Sequence, residues 1–147
     1  MPWKVNGERW HLGEKGFPPG QKLRWERSLL PRLLALVRDV EPGLEVHWDN
    51  RAAILLKVPG VNRAWAQWRT KDSQGLICHF LGKKGQFNLS RLEGIGVAPQ
   101  ISGERENGDT LHLVFQHDDH LPAARLKELL AEHLRGFREA FGKDTGE

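Results

Sequence analysis

The chain of 147 residues contains one cysteine, one methionine and no tyrosine. With Cys78 alone, no disulfide can form within the chain, and a reducing cytoplasm is the simplest compartment. The longest apolar runs, such as "LLALV" at 33–37 and "AAILL" at 52–56, fall far short of the roughly 20 residues that a bilayer span needs. These shortages exclude a disulfide-stapled scaffold and predict that no helix crosses a membrane.

The sequence also lacks the common catalytic motifs. It has no phosphate-binding GxxxxGK[ST] loop, no GxSxG and no CxxC pair. The run "HDDH" at 117–120 holds four potential metal ligands, but Asp118 or Asp119 capping the last helix explains it without a metal. We therefore expect no catalytic residues, no metal site and no cofactor.

Composition and the placement of breakers predict one domain. At 39% hydrophobic and 28% charged residues, the chain can bury one core but is short for two. The breaker "GFPPGQK" ends a segment that we expect to be an extended N-terminal arm, residues 1–20. The single domain then spans residues 21–142, and residues 143–147 form a flexible tail.

Hydrophobic periodicity predicts two helices around a group of strands. Apolar residues recur every three or four positions after Ser28 and again over 122–141, each typical of a helix with one buried stripe. Between them the period changes to two, which is typical of strands. The predicted strands are 44–49, 52–58, 63–70, 75–82, 99–104 and 110–116. The pattern predicts an α+β fold, an antiparallel meander sheet of about five to six strands with the N- and C-terminal helices packed on one face.

Charge is distributed unevenly along the strands. Residues 62–91 carry six basic side chains against one acidic, and residues 92–119 carry one basic against six acidic. The basic residues are Arg63, Arg69, Lys71, Lys83, Lys84 and Arg91. Such a split favours an oriented encounter with an anionic partner, although charge runs are commonly solvated surface.

Part of the basic segment is expected on an exposed face of the sheet. Trp65, Gln67 and Arg69 alternate along one strand, and His47 and His79 share their side if neighbouring strands pair. An exposed ring can stack on a base while Arg69 and the nearby Lys71 meet phosphates. The alternative is that Trp65 packs in the interior and Arg69 is an ordinary solvated charge.

The run "FLGKKGQFN" at 80–88 predicts a second basic contact. Its glycines permit a tight turn, and Asn88 or Ser90 can cap a short helix. Lys83, Lys84 and Arg91 would then surround free backbone N–H groups, which suits a phosphate. The alternative is a hairpin exit that its lysines keep soluble.

The runs "AWAQWRTK" and "FLGKKGQFN", with "LHLVFQHDDHLPAARLKELLAEHLRGFREAFG", carry a family resemblance. From about residue 10 to residue 142 the chain resembles an accessory domain at the carboxyl end of some bacterial excinuclease ABC ATPases, the damage-recognition proteins of nucleotide excision repair. The resemblance implies association with a DNA-repair machine. It implies no ATPase activity, because the nucleotide and zinc motifs of that family are not present in this sequence.

Together these observations predict a non-enzymatic accessory module that contacts nucleic-acid phosphates or a DNA-bound repair protein. Contact would be weakly sequence-specific and strongly salt-dependent. Two alternatives stay open. One is a protein-interaction module that uses the basic and acidic stretches. The other is a small-ligand or hydrolytic domain that uses histidines in a deep pocket.

Overall fold

The computed structural model describes residues 2–13, 25–72, 74–103, 108–117 and 121–142. These ranges contain three helices: α1 (Pro2–Leu12), α2 (Leu29–Val40) and α3 (Ala123–Phe141). They also contain six strands between α2 and α3: β1 (Glu45–His47), β2 (Ala53–Lys57), β3 (Ala66–Arg69), β4 (Leu76–Lys83), β5 (Val97–Gly103) and β6 (Gly108–Phe115). A short 3-10 helix, Leu89–Leu92, precedes β5.

The strands form one open antiparallel sheet in the order β1-β2-β3-β4-β6-β5. The first four strands follow one another as a meander, and the β5–β6 hairpin joins them through β6. The predicted α+β class and antiparallel sheet are therefore confirmed. β4 lies inside the sheet, with β3 paired to one edge and β6 to the other.

One face of the sheet is covered by α2 and α3. The apolar stripe of α2 is buried from Leu29 to Val37, and that of α3 from Leu126 to Phe141. These stripes pack on the inward residues of the strands and form one continuous core. Burying a large aliphatic side chain stabilises the fold by about 1.5–3 kcal/mol, so this layer contributes substantially to stability.

The N-terminal segment differs from the expected extended arm, because Pro2–Leu12 is helical with a kink at Gly7. Sequence periodicity did not predict this helix, since it has no apolar stripe and Val5 is 81% exposed. Tertiary contacts hold it instead. The buried His11 ring lies 3.0 Å from the carbonyl oxygen of Trp48 and also contacts the Thr70 hydroxyl. Residues 14–20 of the arm, the expected caps at 118 and 119, and the tail 143–147 lie outside the described residues.

No helix in the described ranges is both long and apolar enough to span a bilayer.

Candidate ligand-binding face

We call the sheet surface opposite α2 and α3 the open face. Strand registers place one residue of each strand in a row across it: His47, Leu55, Gln67, His79, His112 and Gln100. Because side chains alternate along a strand, these residues all point away from the core. The expectation that His47 and His79 share a face with Gln67 is therefore confirmed.

Arg69 lies in the next row of the same face, opposite Ile77 of β4. Both Arg69 and Gln67 are exposed. Burial lowers the pKa of His79, and repulsion from His112 and from the Arg69 guanidinium lowers it further. This part of the open face therefore combines a fixed positive charge with a neutral imidazole.

A histidine pair forms the centre of the open face. The rings of His79 and His112 have their centroids 4.3 Å apart and are nearly perpendicular, at 73°. The Ser102 hydroxyl on β5 lies 2.7 Å from Nε2 of His112. Burial lowers the pKa of His112 as well. Both imidazoles are consequently neutral near pH 7.

Two depressions meet at His79. The larger, about 410 Å³, is lined by Gln74, Ile77, His79, Val97, Ala98, Gln100, His112, Val114 and Gln116. The smaller, about 210 Å³, is lined by Leu55, Ala64, Trp65, Ala66, Gln67, His79, Leu81 and Thr110. Neither set includes a carboxylate, so the acid–base pair that a histidine hydrolase would need is not assembled in these two depressions.

Trp65 does not belong to the exposed patch that the sequence predicted. Its side chain is fully buried and packs against Phe80 and Phe137, at ring-centroid distances of 5.4 and 6.5 Å. The strict alternation begins only at Ala66, where β3 starts, and both Trp65 and Ala66 are buried. Extending the alternation of β3 back to Trp65 placed this residue on the open face by mistake. Because Trp65 is buried in the core, it cannot stack on a base.

Lys71 is also wrongly placed by the sequence pattern. It is 5% exposed, and its ammonium group donates hydrogen bonds to the carbonyl oxygens of Trp10 and of Gly13, the latter at 2.7 Å. The same group lies 5.2 Å from the Trp10 ring centroid. Burial, with repulsion from Arg27, lowers the pKa of Lys71 to about 8. Lys71 therefore holds the end of α1 and does not face a ligand.

Two of the other three predicted cations lie beside α3, away from Gln67 and Arg69 of the open face. Lys83 forms an ion pair with Glu139 at 3.1 Å, and Arg91 forms a bidentate pair with Glu132 at 2.6 and 3.2 Å. Lys84 is exposed. Solvent-exposed ion pairs of this kind contribute little to stability, so Lys83 and Arg91 can change partners at little cost.

The backbone N–H groups of the glycine turn are used within the chain. Gly85 N–H donates to the Asp109 carboxylate at 2.9 Å, and Ser90 N–H donates to the Asn88 side chain at 3.0 Å. Of the two possible caps, Asn88 or Ser90, the structure has Asn88. The N–H of Gly85 thus binds the carboxylate of Asp109. A phosphate at the turn would have to compete with this carboxylate.

The structure therefore divides the seven predicted residues into three groups. Gln67 and Arg69 share the open face; Lys83 and Arg91 lie beside α3, with the exposed Lys84 next to Lys83 along the chain; and Trp65 and Lys71 are buried. Sequence reasoning missed His112 and Gln100 as neighbours of His79, and Ser102 as the partner of His112. The alternation of β6 places His112, between Leu111 and Leu113, on the outward side of its strand. That it lies next to His79 follows only from the strand order.

Comparisons of the chain with protein-family models, with curated proteins and with solved structures found no match.

Proposed function

We propose that this chain is a non-enzymatic module that contacts nucleic acid across its open face. The observation that carries the proposal is the row of side chains across the open face, polar except for Leu55, with Arg69 beside it, on a sheet surface that α2 and α3 leave uncovered. An antiparallel sheet with one solvated face offers an extended platform of regular spacing. Single-stranded nucleic acid fits such a platform better than a duplex does, because its bases can spread over it.

The chemistry of the face supports this choice. Arg69 supplies a charge for one phosphate, and the amides of Gln67 and Gln100 can hydrogen-bond base edges. The neutral rings of His79 and His112 offer flat surfaces against which a base can stack. With one arginine among these side chains, we expect modest affinity and a shallow salt dependence, in contrast to the steep one that the sequence suggested.

The proposal keeps the predicted partners. The chain would act in the cytoplasm and bind nucleic acid or a DNA-bound repair protein. Its only cysteine, Cys78, is buried, and burial raises the pKa of its thiol well above the ordinary value. Its association with the excinuclease ATPase and with DNA repair rests on the resemblance alone.

A protein partner is the second candidate, favoured by apolar side chains on the same face. Leu55 and Val97 are 37% and 39% exposed. Leu81 and Val114 are half-buried on the same surface. Apolar groups within a polar rim are typical of protein interfaces.

The test is fluorescence anisotropy of labelled single-stranded DNA, single-stranded RNA and duplex DNA, titrated with the protein at about 50 and about 200 mM salt. Arg69→Gln should weaken binding of the single strands and lower the salt slope by about 0.7, the value for one phosphate contact. Arg135→Gln is the matched control, because Arg135 is exposed on α3, in the layer that covers the opposite face. It should bind as the wild type does.

A double variant, Lys83→Gln with Lys84→Gln, separates the open face from the glycine turn. Under the proposal it binds nearly as the wild type does. If it loses binding while Arg69→Gln keeps it, the contact is at the turn and the open-face proposal is wrong. If no nucleic acid binds at low salt, the protein-interaction candidate replaces it.

A further inference from the structure

We infer that His79 and His112 form a binding site for a divalent transition-metal ion, such as Cu²⁺, Ni²⁺ or Zn²⁺. The two residues are direct cross-strand partners at the centre of the sheet, and their ring centroids are 4.3 Å apart. Two imidazoles that bind one ion at about 2.1 Å must be close neighbours, as these cross-strand partners are. The inference concerns a different ligand from the proposed nucleic acid and does not depend on it.

The protonation state of the pair suits metal binding. Imidazole binds a metal through a nitrogen that carries no proton, so a charged histidine must first lose one. Near pH 7.5 an ordinary imidazole is mostly uncharged and offers such a nitrogen.

Ser102 supplies a partner that orients one ligand. Its hydroxyl oxygen lies 2.7 Å from Nε2 of His112. When Nε2 carries the ring proton, it donates to this oxygen and leaves Nδ1 with a free lone pair. Metal-binding histidines commonly donate their second N–H to an oxygen in this manner, which fixes the ring and raises its basicity.

The larger depression leaves room for the rest of the coordination shell. It measures about 410 Å³ and includes Gln100, whose side-chain oxygen is an available ligand type. Within the described residues, no three His, Cys, Asp or Glu side chains gather as a metal site. The site thus has two protein nitrogens, with water or Gln100 in the remaining positions, and we expect weak affinity in the order Cu²⁺ > Ni²⁺, with Zn²⁺ below Cu²⁺.

Arg69 places a positive charge near His79. This charge repels a metal cation bound there, which gives the test a second readout. Arg69→Gln should therefore tighten metal binding, whereas the same change should weaken nucleic-acid binding. Opposite responses to one substitution make failure of the metal site distinguishable from failure of the proposed function.

The experiment is calorimetric titration of the full chain with CuCl₂, NiCl₂ and ZnCl₂ separately, near pH 7.5. We expect one ion per chain, no binding after His79→Gln or His112→Gln, and about tenfold weaker binding after Ser102→Ala. His47→Gln is the matched control, because His47 is exposed on the same face. The second control is His117→Gln with His120→Gln, which removes the two histidines of "HDDH" at 117–120 and should keep one site.

A measurement on the wild type removes dependence on folding of the variants. Substoichiometric Cu²⁺ should broaden the imidazole NMR signals of His79 and His112 before those of any other histidine. If the double variant His79→Gln with His112→Gln keeps the wild-type stoichiometry, the inference is wrong. Broadening that begins at His117 or His47 would overturn it equally.

Discussion

His133 should make the protein lose stability in mild acid. Its side chain is 5% exposed on α3 and packs edge-on against the Phe87 ring, with centroids 4.8 Å apart. Burial lowers the pKa of His133 to about 4; repulsion from Arg91 adds to this, and Glu132 opposes it. The buried imidazole is therefore held neutral.

The sign and size of the effect follow from proton linkage. Because the unfolded chain binds this proton with a pKa near 6.5 and the folded chain with one near 4, the free energy of unfolding falls as the pH drops between those values. From about pH 7.5 to about pH 4.5 the loss from this one group is about 2.5 kcal/mol. Below about pH 4 both states are protonated and the contribution is constant.

The assay is urea denaturation followed by tryptophan fluorescence at the two pH values. His133→Leu removes the titrating group. Between the two pH values, the free energy of unfolding of this variant should therefore fall by about 2.5 kcal/mol less than that of the wild type. The comparison of pH differences cancels any direct cost of the substitution and the titration of the carboxylates. His47→Gln, at an exposed position, should behave as the wild type does. Equal losses in His133→Leu and the wild type would refute the reasoning.

Two further substitutions test contacts that position the N-terminal helix and the start of β4. Lys71→Met removes charge-assisted hydrogen bonds to the carbonyl oxygens of Trp10 and Gly13, worth about 1.5–3 kcal/mol each, and should speed amide hydrogen exchange in α1. Gly75→Ala places a side chain at φ +147°, with its Cβ 2.8 Å from the carbonyl oxygen of Phe115, and should lower the free energy of unfolding by about 1–3 kcal/mol. Each of these substitutions has a matched control. Lys57→Met changes a lysine that is only half-buried on the open face and should leave exchange in α1 unchanged. Gly142→Ala adds a Cβ with nothing within 4 Å at a helical φ of −63°, and should cost almost nothing. Unchanged exchange in Lys71→Met, or wild-type stability in Gly75→Ala, would contradict the contacts described.

The main elements were predictable because each carries its own pattern. The stripes of α2 and α3 and the doubly apolar β4 are visible without knowing their neighbours. Helix α1 was not predictable, since no apolar stripe marks it and it is held by tertiary partners such as Lys71, which lies 58 residues beyond Gly13 along the chain. Local periodicity does not report contacts of that separation.

The candidate site was predictable only in part for the same reason. Alternation placed Gln67 and Arg69 correctly, because both lie inside β3. It failed at Trp65, one residue outside the strand, where regular pairing has not begun. The pairing of His79 with His112 depends on β6, not β5, lying next to β4, and strand order is a property of the whole sheet.

The most direct test of the open-face proposal is an NMR titration of the isotope-labelled chain with a short single-stranded oligonucleotide. We predict that backbone and side-chain signals shift on β3, β4 and β6, with Gln67, Arg69, His79 and His112 among the largest. Signals of α3 and of the turn at 83–85 should move little. Shifts confined to that turn and α3, or no shifts at low salt, would contradict the account.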